Sequence, residues 1–261
     1  MLTVTAFVPL YTVCLMNKYY YDLHIHSCLS PCGDNDMTPN NIAGMASLKG
    51  LQIVALTDHN TCKNCPAFLD ACKKNGIVGI PGMELTTAEE IHLLCLFENL
   101  DNAMAFSEQV EKHRFKIKNR PEIFGEQLIL DADDNICGCE ENLLINATML
   151  DLDSALDLAR EHGAFVCPAH VDKQSNGIIG ILGTFPKSPD FGYAELSDLS
   201  KSDNLKAEHT ELAKCKLLCN SDAHYLWDIH EAENYIVLDD EPYSSKKVRQ
   251  ELFKILLLKE Q

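Results

Sequence analysis

Two short motifs almost two hundred residues apart constrain this chain most, because both bring metal-binding side chains to the end of a strand. The run 20–26 is strand-like, and residues two apart on a strand point to the same side, so His24 and His26 project together. Asp222 and His224 repeat that spacing later in the chain. Imidazole and carboxylate groups suit zinc, manganese or iron. The four side chains therefore predict a metal site where two distant strand ends meet.

Strand-like and helix-like segments alternate along most of the chain. Thr38 and Pro39 have the residue types of a helix N-cap and a first helical position, and Gly50 ends that helix. The apolar run 51–56 is typical of a buried parallel strand, and His59 follows its carboxyl end. Strands that alternate with helices imply a parallel sheet, either closed as a barrel or open and doubly wound. With 261 residues, the chain favours a single α/β barrel.

The stretch around residues 99–150 departs from this alternation. A polar helical pattern over 99–120 precedes a hairpin pattern over 127–139, whose tip is predicted at 133–135. So short a segment would form only a marginal core of its own, so it is predicted to be an insertion in the barrel. Residues 16–261 are therefore expected to form one barrel domain. Residues 1–15 contain no Lys or Arg and are expected to be a non-functional extension, with Met16 as the true start.

The overall charge argues against several classes of partner. With 39 acidic and 22 basic residues the formal net charge is -17, which opposes binding to anionic membranes and to long nucleic acid. We identify no basic tract interleaved with aromatic residues that would change this expectation. The twelve cysteines are scattered, and no export signal accompanies them, so reduced thiols and a cytoplasmic location are predicted. A phosphorylated substrate would then need positive charge from bound metal ions.

The motifs together resemble those of the PHP family, named for polymerase and histidinol phosphatase. They occur in the family's order and extend from about residue 20 to residue 225. The matching segments are His24–Ser27, Thr57–Asn60, Gly82–Glu84, His92 within 91–94, His170 after Pro168 and Ala169, and Asn220–His224. This resemblance implies a distorted (β/α)7-type barrel with two or three divalent cations, Mn, Zn or Fe, at the carboxyl ends of its strands.

The resemblance also implies how the ligands are shared between the cations. The first cation would be held by His24, His26, Glu84 and Asp222, and the second by Glu84, His92 and His170. The third would be held by His59, His224 and an acidic residue after the first motif. The family usually places that acid or a histidine where this chain has Pro31 and Cys32. The distance back from the helix start at Thr38 favours Asp34 over Asp36.

Other residues near the motifs are candidates for proton transfer and for phosphate binding. Asp58 and Asp172 lie close in sequence to ligand histidines and are predicted to orient an imidazole or to transfer protons. Lys173 and Arg120 are the candidate substrate phosphate-binding residues. Clustered divalent cations lower the pKa of a bound water from 15.7 to about 7 and neutralise phosphate oxygens. No Ser or Cys nucleophile is required for such a reaction.

The sequence therefore predicts a metal-dependent phosphoesterase. Its substrate would be a small phosphorylated molecule, a nucleotide or a short oligonucleotide. Two alternatives stay open at this point. One is a metal-dependent amidohydrolase, which also uses a His-x-His motif at the end of a first barrel strand. The other is a metal-binding accessory module without catalytic activity.

Overall fold

The computed structural model describes residues 16–258, so the expectation about residues 1–15 lies outside the described residues. The strands are β1 (Met16–Ile25), β2 (Ile53–Leu56), β3 (Val78–Thr86), β4 (His92–Leu96), β5 (Leu128–Leu130), β6 (Ile136–Cys139), β7 (Phe165–Pro168), β8 (Tyr193–Leu196), β9 (Lys216–Cys219) and β10 (Tyr235–Asp239). The α-helices are α1 (Pro39–Leu48), α2 (Cys65–Lys74), α3 (Leu100–Lys112), α4 (Pro121–Phe124), α5 (Leu152–Glu161), α6 (Ile178–Leu182), α7 (Ser202–Glu208) and α8 (Ser245–Leu257).

The main sheet has the strand order β10-β1-β2-β3-β4-β7. Strands β1, β2 and β3 are parallel, but β4 is antiparallel to both β3 and β7, and β10 is antiparallel to β1. The expectation of a wholly parallel sheet is therefore wrong. Residues 87–91 connect β3 directly to β4, and so short a connection permits only an antiparallel neighbour. As a result, the beginning of β4 lies at the same edge as the carboxyl end of β3.

A second, parallel sheet of β8 and β9 completes the curvature. The Val171 amide, just after β7, donates to the carbonyl of Glu195 in β8 at 2.9 Å. On the other side, the His26 amide donates to the carbonyl of Ala223, just after β9, at 2.9 Å. Strands β1, β2, β3, β4, β7, β8 and β9 thus follow one another around a distorted barrel, as expected, and β10 extends the sheet outside it.

Two apolar clusters hold the barrel together. One contains inward-facing strand residues such as Leu23, Ile80 and Leu96, packed with Leu252 and Phe253 of α8. The other lies between the strands and the helices that cover them, and it includes the buried faces of α1, α2, α3 and α5. Helix α1 begins as predicted, because the Thr38 hydroxyl accepts a hydrogen bond from the Asn41 amide at 3.3 Å.

The segment 99–150 combines a barrel helix with an excursion toward the open end of the barrel. The buried face of α3 joins the outer apolar cluster. Strands β5 and β6 form the predicted antiparallel hairpin. It is joined to the barrel by hydrogen bonds from the Leu128 amide to the Cys28 carbonyl and from the Leu130 amide to the Asn64 side chain, each 3.0 Å.

All eleven cysteines within the described residues are free thiols, so none of them forms a disulfide bond. Cys62 and Cys65 are three residues apart in the sequence. Both are buried, and both thiols donate to the carbonyl of Gly82. This contact gives them a packing role beneath β3. No helix within 16–258 is both long enough and apolar enough to cross a membrane.

Candidate metal centre

The strand edge described above collects histidines and carboxylates from separate parts of the chain. His24 is the next-to-last residue of β1, Glu84 lies in β3, and His92 is the first residue of β4. The other five follow the ends of four strands: His26 after β1, His59 after β2, His170 after β7, and Asp222 and His224 after β9. Because β4 runs in the opposite direction to β3, its first residue reaches the same edge as the ends of the parallel strands.

Glu84 lies at the centre of the group and is 1% exposed. Its Oε1 atom is 2.7 Å from His92 Nδ1 and 2.9 Å from His170 Nε2. Its Oε2 atom is 3.1 Å from His59 Nδ1. Since one carboxylate has both oxygens directed at imidazoles from three different strands, Glu84 has the position of a bridging ligand.

The two histidines of the first motif meet beside Asp222. Their Nε2 atoms are 3.2 Å apart, and the Oδ1 atom of Asp222 is 3.4 Å from that of His24 and 3.2 Å from that of His26. Glu84 reaches the same place, with its oxygens 3.4 Å and 3.3 Å from the two nitrogens. The four predicted ligands of the first cation therefore converge on one point.

Hydrogen bonds to the Nδ1 atoms of three imidazoles, two at that point and one in the neighbouring group, determine which nitrogen is left for a cation. His24 Nδ1–H donates to Glu195, whose two oxygens are each 3.0 Å away. His26 Nδ1–H donates to the Ser30 hydroxyl at 3.0 Å, and His224 Nδ1–H donates to the carbonyl of Asp222 at 2.8 Å. In its neutral form, with the proton on Nδ1, each ring has an unprotonated Nε2 whose lone pair is free for a cation.

The buried carboxylates create a strong demand for positive charge. Burial alone would lower the pKa of His24, but Glu195, Glu84 and Asp222 raise it well above its usual value. The same opposition, between burial and the nearby carboxylates of Asp222 and Glu84, raises the pKa of His26 to about 9. Burial opposes ionisation of Glu84 as well, yet the imidazoles of His92 and His24 hold its pKa well below the usual range. The pocket thus stabilises cationic charge among ionised carboxylates.

The third group of histidines has the opposite electrostatic character. Burial lowers the pKa of His59 well below its usual value, and it lowers that of His224 to about 4, with His26 contributing in the same direction. Neutral imidazoles are the form that binds metal ions. The backbone is strained at this edge, because Asn60, His170 and Asp222 have φ angles of 53°, 28° and 52°.

The residues present fit divalent cations. Three overlapping groups each bring their donor atoms within 4.8 Å of one another: His24, His26, Glu84 and Asp222; His59, Glu84 and His92; and His26, His59 and His224. Buried atoms within these groups have no hydrogen-bond partner among the described residues, namely Glu84 Oε2, Asp222 Oδ1 and His59 Nδ1. Cations would satisfy these donors, since buried polar atoms otherwise cost free energy.

The acid predicted for the third cation is not brought into these groups. Asp34 Oδ1 accepts a hydrogen bond from the Asp36 amide at 2.8 Å, and the Asp34 amide donates to the His224 carbonyl at 2.9 Å. Its side chain therefore closes a local turn while its backbone supports the last motif. The side chain of Asp36 is exposed. Among the described residues, neither belongs to a donor group.

The two aspartates predicted for proton transfer have different surroundings. Asp58 is buried and accepts hydrogen bonds from the Ser27 amide, the Ser27 hydroxyl and the Ser30 hydroxyl, each at 2.7 Å. Through Ser30 it is connected to the ring of His26. Asp172 accepts from the Ser197 amide at 2.8 Å and from Lys201 Nζ at 2.9 Å. Both of its oxygens thus hold the segment after β8.

The two predicted phosphate-binding cations also separate. Lys173 Nζ is 2.6 Å from Asp222 Oδ2, and its side chain is 39% exposed, so it lies at the mouth of the site. Burial lowers the pKa of Lys173, but Asp222 more than offsets that effect and raises it. Arg120 is the N-cap residue of α4, with its guanidinium carbon 5.7 Å from the centre of the Phe124 ring.

Glu195 is the main residue that sequence reasoning missed. It is 1% exposed, and besides His24 it accepts hydrogen bonds from Asn220 Nδ2 at 2.6 Å and from the His170 amide at 2.8 Å. It therefore holds three of the predicted motifs in register. The available signal was a lone acidic residue inside the short apolar strand Tyr193–Leu196, where a buried charge needs a partner.

Comparison with known proteins agrees with this geometry. The model of the PHP domain matches residues 22–184, which is more than half of the chain. The chain belongs to the PHP family. An uncharacterized protein of Methanocaldococcus jannaschii is 35% identical over 100 residues, which cover 35% of this chain and 58% of that protein.

Solved structures show the same fold as this PHP chain. A lesion-specific endonuclease from Pyrococcus furiosus has a TM-score of 0.60 and 21% identity, over 92% of this chain and 56% of the endonuclease. A protein assigned as a metal-dependent phosphoesterase from Bifidobacterium adolescentis has a TM-score of 0.52 and 15% identity, over 90% of this chain and 96% of the other. The chain thus spans little more than half the length of the archaeal proteins. PHP membership and the clustered donors support a metal-dependent hydrolase.

Proposed function

We propose that the protein is a metal-dependent phosphoesterase that hydrolyses a phosphate ester of a small molecule, a nucleotide or a short oligonucleotide with an activated water. The observation that carries this proposal is the meeting of the His24 and His26 Nε2 atoms, 3.2 Å apart, beside Glu84 and Asp222. Because each Nδ1 already donates a hydrogen bond to the protein, both Nε2 lone pairs are left for a cation, whose charge would offset that of the two carboxylates beside them.

The proposed ligands are the predicted ones, except that the third group is best supported without Asp34. His24, His26, Glu84 and Asp222 would hold one cation, and Glu84 would be shared with His92 and His170. His26, His59 and His224 offer donors for another. Divalent cations bound there would supply the Lewis acidity that activates water and neutralises phosphate charge. Zinc, manganese and iron all suit these donors.

The remaining residues would orient and bind. Asp58 would hold His26 through Ser30, which keeps the imidazole proton on Nδ1. Lys173 lies at the mouth of the site. Its ammonium group would give up part of its contact with Asp222 and bind a non-bridging phosphate oxygen of the substrate. Such a contact places a flexible ammonium group where the anionic substrate must enter.

The test is a hydrolysis assay with purified protein after chelation and reconstitution with manganese or zinc. Substrates should include phosphomonoesters, small phosphodiesters, dinucleotides and amides. We expect phosphate ester hydrolysis that requires metal, and we expect His24→Ala to abolish it. His209→Ala, a histidine far in sequence from every donor group, is the matched control.

Other results would favour the alternatives. Hydrolysis of amides without hydrolysis of phosphate esters would indicate an amidohydrolase. Tight metal binding with no turnover on any substrate would indicate an accessory module. Equal phosphatase activity in His24→Ala and the wild type would remove the first cation from the mechanism.

A further inference from the structure

A short positively charged segment stands out on this acidic chain. Residues 115–120, which we name the cationic ribbon, contain Lys116, Lys118 and Arg120 and no acidic residue, although the net charge of the chain is -17. All three cations are exposed. Within residues 16–258, Lys116 and Lys118 form no ion pair. The overall charge of the chain therefore does not describe this part of its surface.

The ribbon is held in place by buried polar groups. Arg114, just before it, is 8% exposed and bonds to Glu140 at 3.1 Å, and Lys63 also contacts that carboxylate. The buried acid beneath the ribbon is thus neutralised by other residues, so it leaves the charges of Lys116 and Lys118 uncompensated. The Ile117 amide donates to the carbonyl of Phe115 at 2.9 Å, a tight turn centred on Lys116.

The ribbon lies close to the metal centre. The Leu143 amide donates to the Ile117 carbonyl at 2.8 Å, so the segment 142–149 runs beside the ribbon. On its other side, the carbonyl of Leu144 accepts from the side chain of Asn60, the residue after His59, at 2.8 Å. One short segment thus contacts both the ribbon and the residue that follows His59.

Exposed apolar side chains accompany these cations. Phe115 is 47% exposed and Ile117 is 51% exposed on the ribbon itself. Ile123, Ile145 and Met149, on the neighbouring segments, are also exposed. Clustered apolar surface among cations indicates a binding surface, because isolated solvated lysines need no such partner. Cations contact phosphates while an aromatic face stacks on a base, so this combination fits a single strand of nucleic acid.

We propose that the cationic ribbon is a binding surface for single-stranded nucleic acid and guides a strand toward the metal centre. This inference rests on the proposed phosphoesterase function and narrows its substrate to oligonucleotides. Lys116, Lys118 and Arg120 contact backbone phosphates, and Phe115 stacks on a base. An anionic membrane fits less well, because such surfaces are usually recognised by four to eight clustered cations and the rest of this chain is repelled.

Binding is measured first, without hydrolysis, on chelated protein. The probe is a fluorescein-labelled single-stranded oligonucleotide of about 20 nucleotides, longer than the sites of typical single-strand binders. Fluorescence anisotropy over a range of salt concentrations gives Kd and its salt dependence. We expect K116E/K118E to raise Kd at least about tenfold at low salt and to reduce the log–log salt slope by about 1 to 2.

Matched variants separate the ribbon from general charge effects. K73E/K246E makes the same charge change at two exposed lysines near the opposite end of the barrel, and its Kd should stay within about twofold of the wild type. Phe115→Ala should raise Kd about fivefold or more, whereas Phe115→Tyr, which keeps the aromatic face, should not. All these positions are exposed, and far-ultraviolet circular dichroism checks their folding.

Hydrolysis then distinguishes this inference from the proposed function. For K116E/K118E, the ratio of kcat/KM on the oligonucleotide to kcat/KM on bis(p-nitrophenyl) phosphate should fall at least about tenfold. No hydrolysis of any phosphomonoester or phosphodiester by wild-type protein would defeat the proposed function and leave the binding result standing. Equal effects of K116E/K118E and K73E/K246E on Kd would overturn the ribbon proposal alone. So would no oligonucleotide binding at low salt, or tighter binding to phosphatidylserine vesicles.

Discussion

Glu84 and the imidazoles around it are almost completely buried, whereas Lys116 and Lys118 on the cationic ribbon are exposed and unpaired among the described residues. The two regions are close neighbours of opposite charge. In the first, carboxylates are desolvated, the side chains are held by packing, and hydrogen bonds orient the rings of His24 and His26. In the second, charge is screened by water and the side chains are free to move. The net charge of this chain therefore predicts neither the buried cluster of carboxylates and imidazoles nor the exposed cations of the ribbon.

The largest effect should come from the centre of the buried region. Glu84→Gln keeps the shape of the side chain but removes the charge that faces His92, His170 and His59. We expect phosphoesterase activity to fall by about 1,000-fold or more, since both the bridging ligand and the preorganised charge are lost. Steady-state kinetics with saturating metal measures this.

The control for that variant is Glu90→Gln, which removes an exposed carboxylate from the connection before β4. Its activity should match that of the wild type. A Glu84→Gln enzyme with more than a tenth of wild-type activity would contradict the bridging position.

The next largest effect should come from the Arg114–Glu140 ion pair, which supports the cationic ribbon. Glu140→Ala would leave Arg114 buried without its carboxylate partner, and we expect a loss of about 3–5 kcal/mol in the free energy of unfolding. Urea denaturation measures it. Glu141→Ala, next in sequence but exposed, should change stability by about 0.5 kcal/mol or less. Similar losses in both variants would show that the ion pair does not anchor the ribbon.

The contribution of the same ion pair to the free energy of unfolding should depend on pH. Burial raises the pKa of Glu140, but Lys63 and Arg114 more than offset it and lower that pKa below its usual value. Its contribution to stability is therefore present at neutral pH, and it is lost as the pH falls through the lowered pKa. The stability difference between wild type and Glu140→Ala should accordingly narrow in acid.

A smaller effect is expected outside the donor groups, at Glu195. Glu195→Gln removes the charge that holds His24 Nδ1–H, and loss of such a hydrogen bond to a metal-binding histidine typically weakens metal binding by about 10- to 100-fold. Metal-competition titration measures the affinity. Glu208→Gln, on the exposed face of α7, is the control and should bind metal like the wild type. Unchanged affinity in Glu195→Gln would show that packing alone orients His24.

The smallest effect should come from the cap of α1, which joins the barrel to the hairpin. The Thr38 hydroxyl accepts from the Asn41 amide and donates to Asp134 Oδ2 at 2.6 Å. Thr38→Ala should cost about 1 kcal/mol, and Thr38→Ser should restore most of it. Thermal unfolding compares the two. A cost in Thr38→Ser as large as that in Thr38→Ala would contradict the capping role.

The sequence predicted those features that depend on local pattern or on motif order. The cap at Thr38, the hairpin tip near Asp134 and the clustering of histidines and carboxylates at strand ends follow from residue type and spacing. The reversal of β4 was not predicted, because an apolar run such as 92–96 has no direction in itself. Only the short connection before it determines the antiparallel pairing.

Other features required contacts that the sequence does not show. The predicted ligand Asp34 instead closes a turn on Asp36, a local competition that counting residues cannot resolve. Asp172 bonds to Lys201, 29 residues later, and Glu195 meets His24 only because β9 alone separates β8 from β1 around the barrel. The ribbon was missed because overall composition hid a local excess of cations.

The central claim is that the buried cluster works only with bound divalent cations. The most direct measurement removes them with a chelator, confirms their absence by elemental analysis, and follows phosphodiester hydrolysis as manganese or zinc is added back. In the wild type, activity is expected to disappear on chelation and to return as two or more equivalents of metal bind. In His24→Ala, added metal should not restore activity. Full activity in protein shown to contain no metal would contradict the central claim.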